Sequence, residues 1–365
     1  MKLKPAPQSE VAQSPVRLEM DESTVIRRRL ADSRPTTTAG RLKENLYYMR
    51  GRGALEISGI YLAILVIFSI TSIVNSAWFP FLTSANLSGV ISQNVPVLAI
   101  LAIGAGILMI AGEFDLSIGA SIGLSAVVFI RVANSHSWVL AFFAAVGTAM
   151  LVHLINGCIV VFTRIPSFIA TLGMSFFWTG ASIKVNGLTP AILNTVGHGT
   201  AVDIFAGNHG WFRSQLLWLV GIGVVAWFYL HRHRLGNKIY AVGGNAAAAK
   251  AVSIKPNVVK LQSFAILGFM VGIAAILIAV RTADMQPGTT GDYTLLAIAA
   301  AVVGGCALTG GKGSIFGMVI GAALILTVEN GLVLGNAPAF YVQLFLGLSI
   351  VVAAIFNKFM EGKAT

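Results

Sequence analysis

The chain has 365 residues, 56% of them hydrophobic and only 11% charged, with a net charge of +11 and a mean hydropathy of +0.81. Soluble domains average about 45–50% apolar and about 25% charged residues, which excludes a soluble enzyme and leaves a multi-span membrane protein. The two cysteines, Cys158 and Cys306, lie in apolar runs and offer neither metal-ligand spacing nor a disulfide framework.

Residues 1–52 hold 11 Lys/Arg against 6 Asp/Glu and no apolar run of signal-peptide type. With their Pro, Ser and Thr content, residues 1–53 read as a disordered basic cytoplasmic tail. Residues 54–358 then form a transmembrane domain, and residues 359–365 a short cytoplasmic C-terminal tail.

A helical span needs about 20 mostly apolar residues. Ten windows qualify: 57–77, 90–110, 116–133, 138–162, 165–184, 214–231, 261–281, 293–309, 314–332 and 340–357. The polar-in alternation of a barrel is missing, so the expected fold class is all-α, a polytopic membrane protein of about ten transmembrane or half-membrane helices. With both termini inside, the inner segments collect 21 Lys/Arg, while the outer ones keep Arg131, Lys184, Arg213 and Arg281. That asymmetry predicts N-in/C-in, and it reads the basic charge as an orientation label rather than a nucleic-acid footprint.

Two connections stand out. Residues 185–213 are polar, Gly-rich and external; residues 232–260 are internal and basic without an acid. Within the second, Asn245 followed by four alanines and Lys250 predicts a short capped helix, punctuated by Gly243, Gly244 and Pro256. An internal repeat also shows. Leu98-Ala99-Ile100 precedes Gly106 and Gly112 as Leu296-Ala297-Ile298 precedes Gly304 and Gly310, and each unit ends in Ser-Ile, at Ser117 and Ser314.

Several polar residues interrupt the apolar runs. Glu113 and Asp115 sit between two spans, where ionisable groups are costly and commonly functional; with Ser117 they read as a polar hinge or half-helix start, or as a helix cap. Pro166 suits the first turn of a helix, followed by the small residues Ala170, Thr171 and Gly173. The turn Gly310-Gly311-Lys312-Gly313 imitates a phosphate-binding loop, but that motif requires Ser or Thr after the lysine, so it reads as a glycine-rich turn. Glu329 lies near the outer end of its span. His153 and Asn156 read as an interhelical hydrogen-bonding pair rather than a proton relay. No catalytic or metal-binding arrangement emerges.

Four segments carry a resemblance: AGEFDLSIGAS (111–121), TRIPSFIATLGM (163–174), GNKIYAVGGNAAAAKAVSI (236–254) and AIAAAVVGGCALTGGKGSIFGMVIGAALI (297–325). In these the chain resembles the membrane permeases of ATP-binding-cassette (ABC) importers for pentoses, hexoses and polyols, the ribose/xylose/galactose-type group. The resemblance implies a bacterial inner-membrane subunit without catalytic residues or a cofactor of its own. Its partners would be a second permease subunit, as a homodimer, a cytosolic ATPase that binds ATP and Mg²⁺, an extracytoplasmic solute-binding protein and the lipid bilayer, with no nucleic acid. It also implies an ATPase-coupling helix around Gly243, Gly244, Asn245, Ala248, Lys250 and Ala251; beside it, the residues themselves offer Glu113, Asp115, Ser117, Phe168 and Glu329 as candidates for a translocation pathway or hinge. The chain departs from the family pattern at Ala246 and Ala247, where charged residues are usual, at Glu113, usually apolar, and at Glu329, usually Asn. Two other readings stay open: a secondary transporter or channel with Glu113, Asp115 and His153 in an ion path, and an ABC permease for a non-sugar solute.

Overall fold

Long runs of Ile, Leu, Val, Ala and Phe can satisfy their backbone in hydrocarbon only by closing hydrogen bonds within the segment, which makes them helices despite their β-branched content. A computed structural model describes residues 54–362; the N-terminal tail lies outside the described residues.

In chain order the elements are α1 (Ala54–Val74), α2 (Ser92–Ile110), α3 (Ile118–Ser135), α4 (Trp138–Thr163), α5 (Ser167–Asn186), β1 (Ala191–Ile192), α6 (Gly199–Ala206) and α7 (Ser214–His231). There follow α8 (Arg234–Gly244), α9 (Ala246–Ala251), α10 (Pro256–Thr282), β2 (Asp284–Met285), α11 (Asp292–Val303), α12 (Ile315–Leu334) and α13 (Ala339–Gly362). The strands β1 and β2 form one short antiparallel pair, Ala191 opposite Met285.

Eight described helices are long and apolar enough to cross a membrane: α1, α2 with its lead-in from Ser84, α3, α4, α5, α7, α10 and α12. The chain is therefore an all-α polytopic membrane protein. The segment expected at 293–309 differs most. Its helix, α11, ends at Val303 and covers about 18 Å at 1.5 Å per residue, because Gly305 (φ +88°) and Gly310 (φ +90°) turn the chain in left-handed backbone. At the far end α13 continues to Gly362, past the boundary expected at residue 358; residues 357–361 hold no helix breaker, and the last residue is a glycine. Pro166 sits just before α5 rather than inside its first turn.

Two helices form the centre. In α2 and α10 most of the apolar stretch is buried, whereas α1 and α5 bury little of theirs. The α10–α4 contact is close because Gly268 and Gly272, four residues apart, present bare backbone. A Cβ at either would lie 2.7 Å from the Cα of Met150 or of Val146, the small-residue packing that lets membrane helices approach.

The ends of the bundle are sorted. The carbonyl of Ile110, ending α2, accepts the Gly311 N–H just before α12 (2.9 Å), while Asn86 and Asn330 exchange amide hydrogen bonds of 3.1 and 2.9 Å at the opposite ends of those segments. Thus α2 and α12 run antiparallel. At the Asn86 end, Arg281 bonds Asn94, Arg213 N–H donates to Ser92 Oγ at 2.9 Å, and Arg131 bonds the Val185 carbonyl. The connections at the Ile110 end carry Arg164, Arg232, Arg234, Lys238, Lys250, Lys255 and Lys312, and the start of α10 adds Lys260.

Candidate functional site

The segment between α2 and α3 is where polar chemistry enters the bundle. Gly112 takes φ +87° and breaks α2, and residues 111–117 then cross without regular structure. Asp115 is 2% exposed, an expensive placement for a carboxylate unless its oxygens are occupied. They are. Oδ1 accepts from Ser117 N–H (2.7 Å) and Ser117 Oγ (2.6 Å); Oδ2 faces His153 Nδ1 at 2.8 Å and accepts from Asn156 Nδ2 at 3.2 Å.

The network continues outward. Asn156 Nδ2 also donates to Ser117 Oγ (2.7 Å), and its Oδ1 accepts from Trp178 Nε1 of α5 (3.1 Å). Ser117 is therefore spent on the network and makes no side-chain capping bond to α3. From α5, Ser167 Oγ accepts the Phe114 N–H (3.0 Å) and Thr171 Oγ1 the Leu116 N–H (2.9 Å). One irregular loop is thereby tied to α4 and α5 through side chains. His153 and Asn156 lie on the same helix, α4, and meet on Asp115, a partner that spacing did not reveal; of the two, Asn156 makes the interhelical bond, to Trp178. His153 Nε2 is buried without a hydrogen-bond partner.

Glu113 turns the other way. Its Oε1 lies 2.5 Å from Lys260 Nζ of α10, with side-chain exposures of 10% and 26%. These are the two salt bridges found among the described residues, the other being His153–Asp115. Glu113 and Asp115 thus belong to separate pairs. Glu329, half-buried on α12, neighbours the Asn86–Asn330 pair at the opposite end and joins neither. Phe168, on α5 beside Ser167, is 53% exposed.

The basic connection folds as two helices. Asn245 caps α9, its Oδ1 accepting from Ala247 and Ala248 N–H at 3.0 Å each, as the sequence pattern predicts. The preceding α8 was not anticipated. Leu235, Ile239 and Val242 carry its apolar periodicity, with Ile239 and Val242 buried, and Gly243 and Gly244 form its last turn rather than a break. On α9, Ala249 is buried, while Ala246, Ala247, Ala248, Lys250 and Ala251 are exposed and Val252 follows at 70% exposure.

Three backbones meet where α8 ends. A Cβ at Gly243 would collide with the Ile110 carbonyl and lie 2.7 Å from Gly311 N; one at Gly310 would lie 2.9 Å from Gly243 O and 3.1 Å from Gly112 Cα; one at Gly311 would lie 2.8 Å from Gly244 Cα. Only glycines allow the end of α8, the start of the polar loop and the glycine-rich turn to touch. Gly313 is held to α8 as well, its carbonyl accepting from Tyr240 OH at 2.8 Å. The repeat units also correspond in shape. Each runs helix, left-handed glycine turn, helix: α2–Gly112–α3 and α11–Gly310–α12. Ser314, unlike Ser117, does cap its helix, accepting from Gly317 N–H at 3.1 Å.

Comparison with known proteins adds the identity of this arrangement. The family described as branched-chain amino acid transport system / permease component matches residues 87–354. The ribose import permease protein RbsC of Escherichia coli (strain K12) is 32% identical over 306 residues, covering 81% of this chain and 92% of the relative. RbsC of Bacillus subtilis (strain 168) is 30% identical over 310 residues, covering 84% and 94%. The autoinducer 2 import system permease protein LsrC of Enterobacter sp. (strain 638) is 31% identical over 298 residues, covering 80% and 83%. No solved structure matches. With the matched region running from the lead-in of α2 into α13, the chain belongs to the branched-chain amino acid transport system / permease component family, the membrane permease subunits of ABC importers.

Proposed function

We propose that this permease forms the translocation pathway for a sugar or polyol, handed over by an extracytoplasmic binding protein and driven by a cytosolic ATPase that binds ATP and Mg²⁺ in its own subunits. RbsC and LsrC, named for ribose and autoinducer 2 import, support the solute class. Autoinducer 2 is the second candidate solute. Family membership sets aside a transporter working alone, and the Glu113–Lys260 and Asp115–His153 pairs account for the ionisable groups such a reading needed.

In this reading the Ile110 end of the bundle, where the basic connections gather, faces the cytoplasm of the plasma membrane, with both termini on that side. Two copies pair to enclose the pathway. The exposed face of α5, with Phe168, Phe176 and Phe177, supports placing that helix along it: α5 is the least apolar of the eight spans and among the least buried. The ATPase engages α8–α9, with Gly243–Ala251 as the coupling element.

The observation that carries the proposal is the glycine contact. A displacement of α8 reaches Ile110–Gly112 and Gly310–Gly311 through backbone, without a flexible side chain between. ATP and the loaded binding protein favour different states of the pair, and transport follows from that differential binding. The test replaces Gly244–Lys250 with a Gly/Ser linker and measures uptake of labelled ribose in cells that express the cognate ATPase and binding protein. Uptake should be lost with normal membrane insertion; undiminished uptake would remove the coupling role.

A further inference from the structure

A groove outside the polar cluster runs between α7 and α10. Its outer hollow, about 360 Å³, has Leu217, Trp218, Gly221 and Val225 on the α7 side and Phe269 and Met270 on the α10 side. A second hollow, about 260 Å³, shares Val225, Phe269 and Met270 and continues to Tyr229, floored by Ile107 and Met150. From Leu217 to Tyr229 is about 18 Å of helix, against about 15 Å for half of a bilayer's hydrocarbon core. The trough therefore has the length of one acyl chain. Methionines at its floor suit a flexible, variable guest.

The two ends differ in chemistry. At one, Trp218 is held by the Ile204 carbonyl (Nε1 to O, 3.0 Å) and stacks on Phe205 at 5.5 Å, closing the groove with an aromatic wall. At the other, the stripe Gly221, Val225, Tyr229 runs at helical spacing to the end of α7 and the basic segment Arg232-His233-Arg234. Arg232 turns its guanidinium to the Trp227 ring, 5.4 Å from its centre, on the far face of α7, whereas exposed His233 stacks on Tyr229 at 6.1 Å and exposed Arg234 follows. Neither arginine pairs with a carboxylate among the described residues, and residues 231–260 contain no acid.

We propose that the α7–α10 groove binds one anionic phospholipid, an acyl chain lying in the apolar trough and the phosphate resting on Arg234 beside His233. Lipid-facing grooves that end in a basic cluster at the membrane surface suit such headgroups. The site does not depend on which solute the permease carries.

The experiment is native mass spectrometry of the full-length permease in mild detergent, titrated with phosphatidylglycerol or phosphatidylcholine. The wild type should retain one phosphatidylglycerol per chain, preferred roughly ten-fold over phosphatidylcholine. Arg234→Gln with His233→Gln should abolish that preference yet keep a single lipid of either class. Gly221→Leu should displace the lipid altogether; a Cβ there meets open space, so this change fills the groove without a backbone clash. Equal retention of both lipids by the wild type would overturn the proposal, as would undiminished retention by Gly221→Leu. So would loss of dimer mass with lipid occupancy unchanged in that variant, which would make the groove a protein interface.

Discussion

His153 Nδ1 lies 2.8 Å from Asp115 Oδ2, both side chains fully buried. An ionised carboxylate can only accept, so the Nδ1 position carries the proton in this contact. Removing one member strands the other in a low-dielectric site, which for a buried pair costs about 3–5 kcal/mol. We expect His153→Ala to lower the melting temperature of the detergent-solubilised permease sharply. His153→Ala combined with Asp115→Ala should cost less than the sum of the single changes, with a coupling of about 1–3 kcal/mol. Additive losses in a double-mutant cycle would mean that the two residues act independently.

The adjacent glycines Gly243 and Gly244 separate packing from flexibility. A Cβ at Gly243 meets the Ile110 carbonyl and Gly311 N, whereas one at Gly244 meets nothing within 4 Å. Gly243→Ala should therefore part the three backbones and abolish uptake, while Gly244→Ala should leave it near wild type. A transport assay on both variants, normalised to the amount in the membrane, decides. Equal tolerance at the two positions would leave the three-backbone contact without a role in coupling.

The Glu113–Lys260 contact joins residues 147 positions apart. The pair is partly exposed, and solvent screening reduces its worth below that of Asp115–His153. Glu113→Lys and Lys260→Glu should each reduce stability by about 1–2 kcal/mol, each placing like charges together in a partly buried site. The double exchange should recover much of that loss, read as melting temperature. Failure of the exchange to restore stability would show that the location of each charge matters more than their pairing.

These pairs mark the boundary of what the sequence discloses. Hydropathy locates the spans because each must bury its own backbone, a requirement local to about twenty residues. The cap at Asn245 is likewise local, a matter of the next three N–H groups. Asp115 with His153, and Glu113 with Lys260, are brought together only when α2, α4 and α10 pack, and nothing in the spacing along the chain encodes that. Lys260 in particular reads as one more orientation charge until α10 is set beside the polar loop. The α8 helix was legible in principle from Leu235, Ile239 and Val242, but the glycines at its end read more readily as a break. The shortening of α11 follows from positive φ at Gly305, a property that an apolar Gly-rich window hides.

Asn245 offers the most economical probe of the connection between α8 and α9. Its Oδ1 satisfies two backbone donors at the start of a six-residue helix, and a helix that short has little intrinsic stability beyond its cap and its docking. Asn245→Ala removes both hydrogen bonds at a cost of about 1 kcal/mol, small against the whole fold yet large for α9. Asn245→Asp keeps the acceptor. We therefore expect Asn245→Ala to leave the melting temperature within a few degrees of wild type while lowering ATP-dependent uptake several-fold, and Asn245→Asp to retain most of it. Hydrogen exchange at Ala247 and Ala248 checks the cause, since both amides should lose protection in the alanine variant and keep it with aspartate. Unchanged exchange alongside reduced uptake would place the role of Asn245 in direct contact with the ATPase rather than in capping.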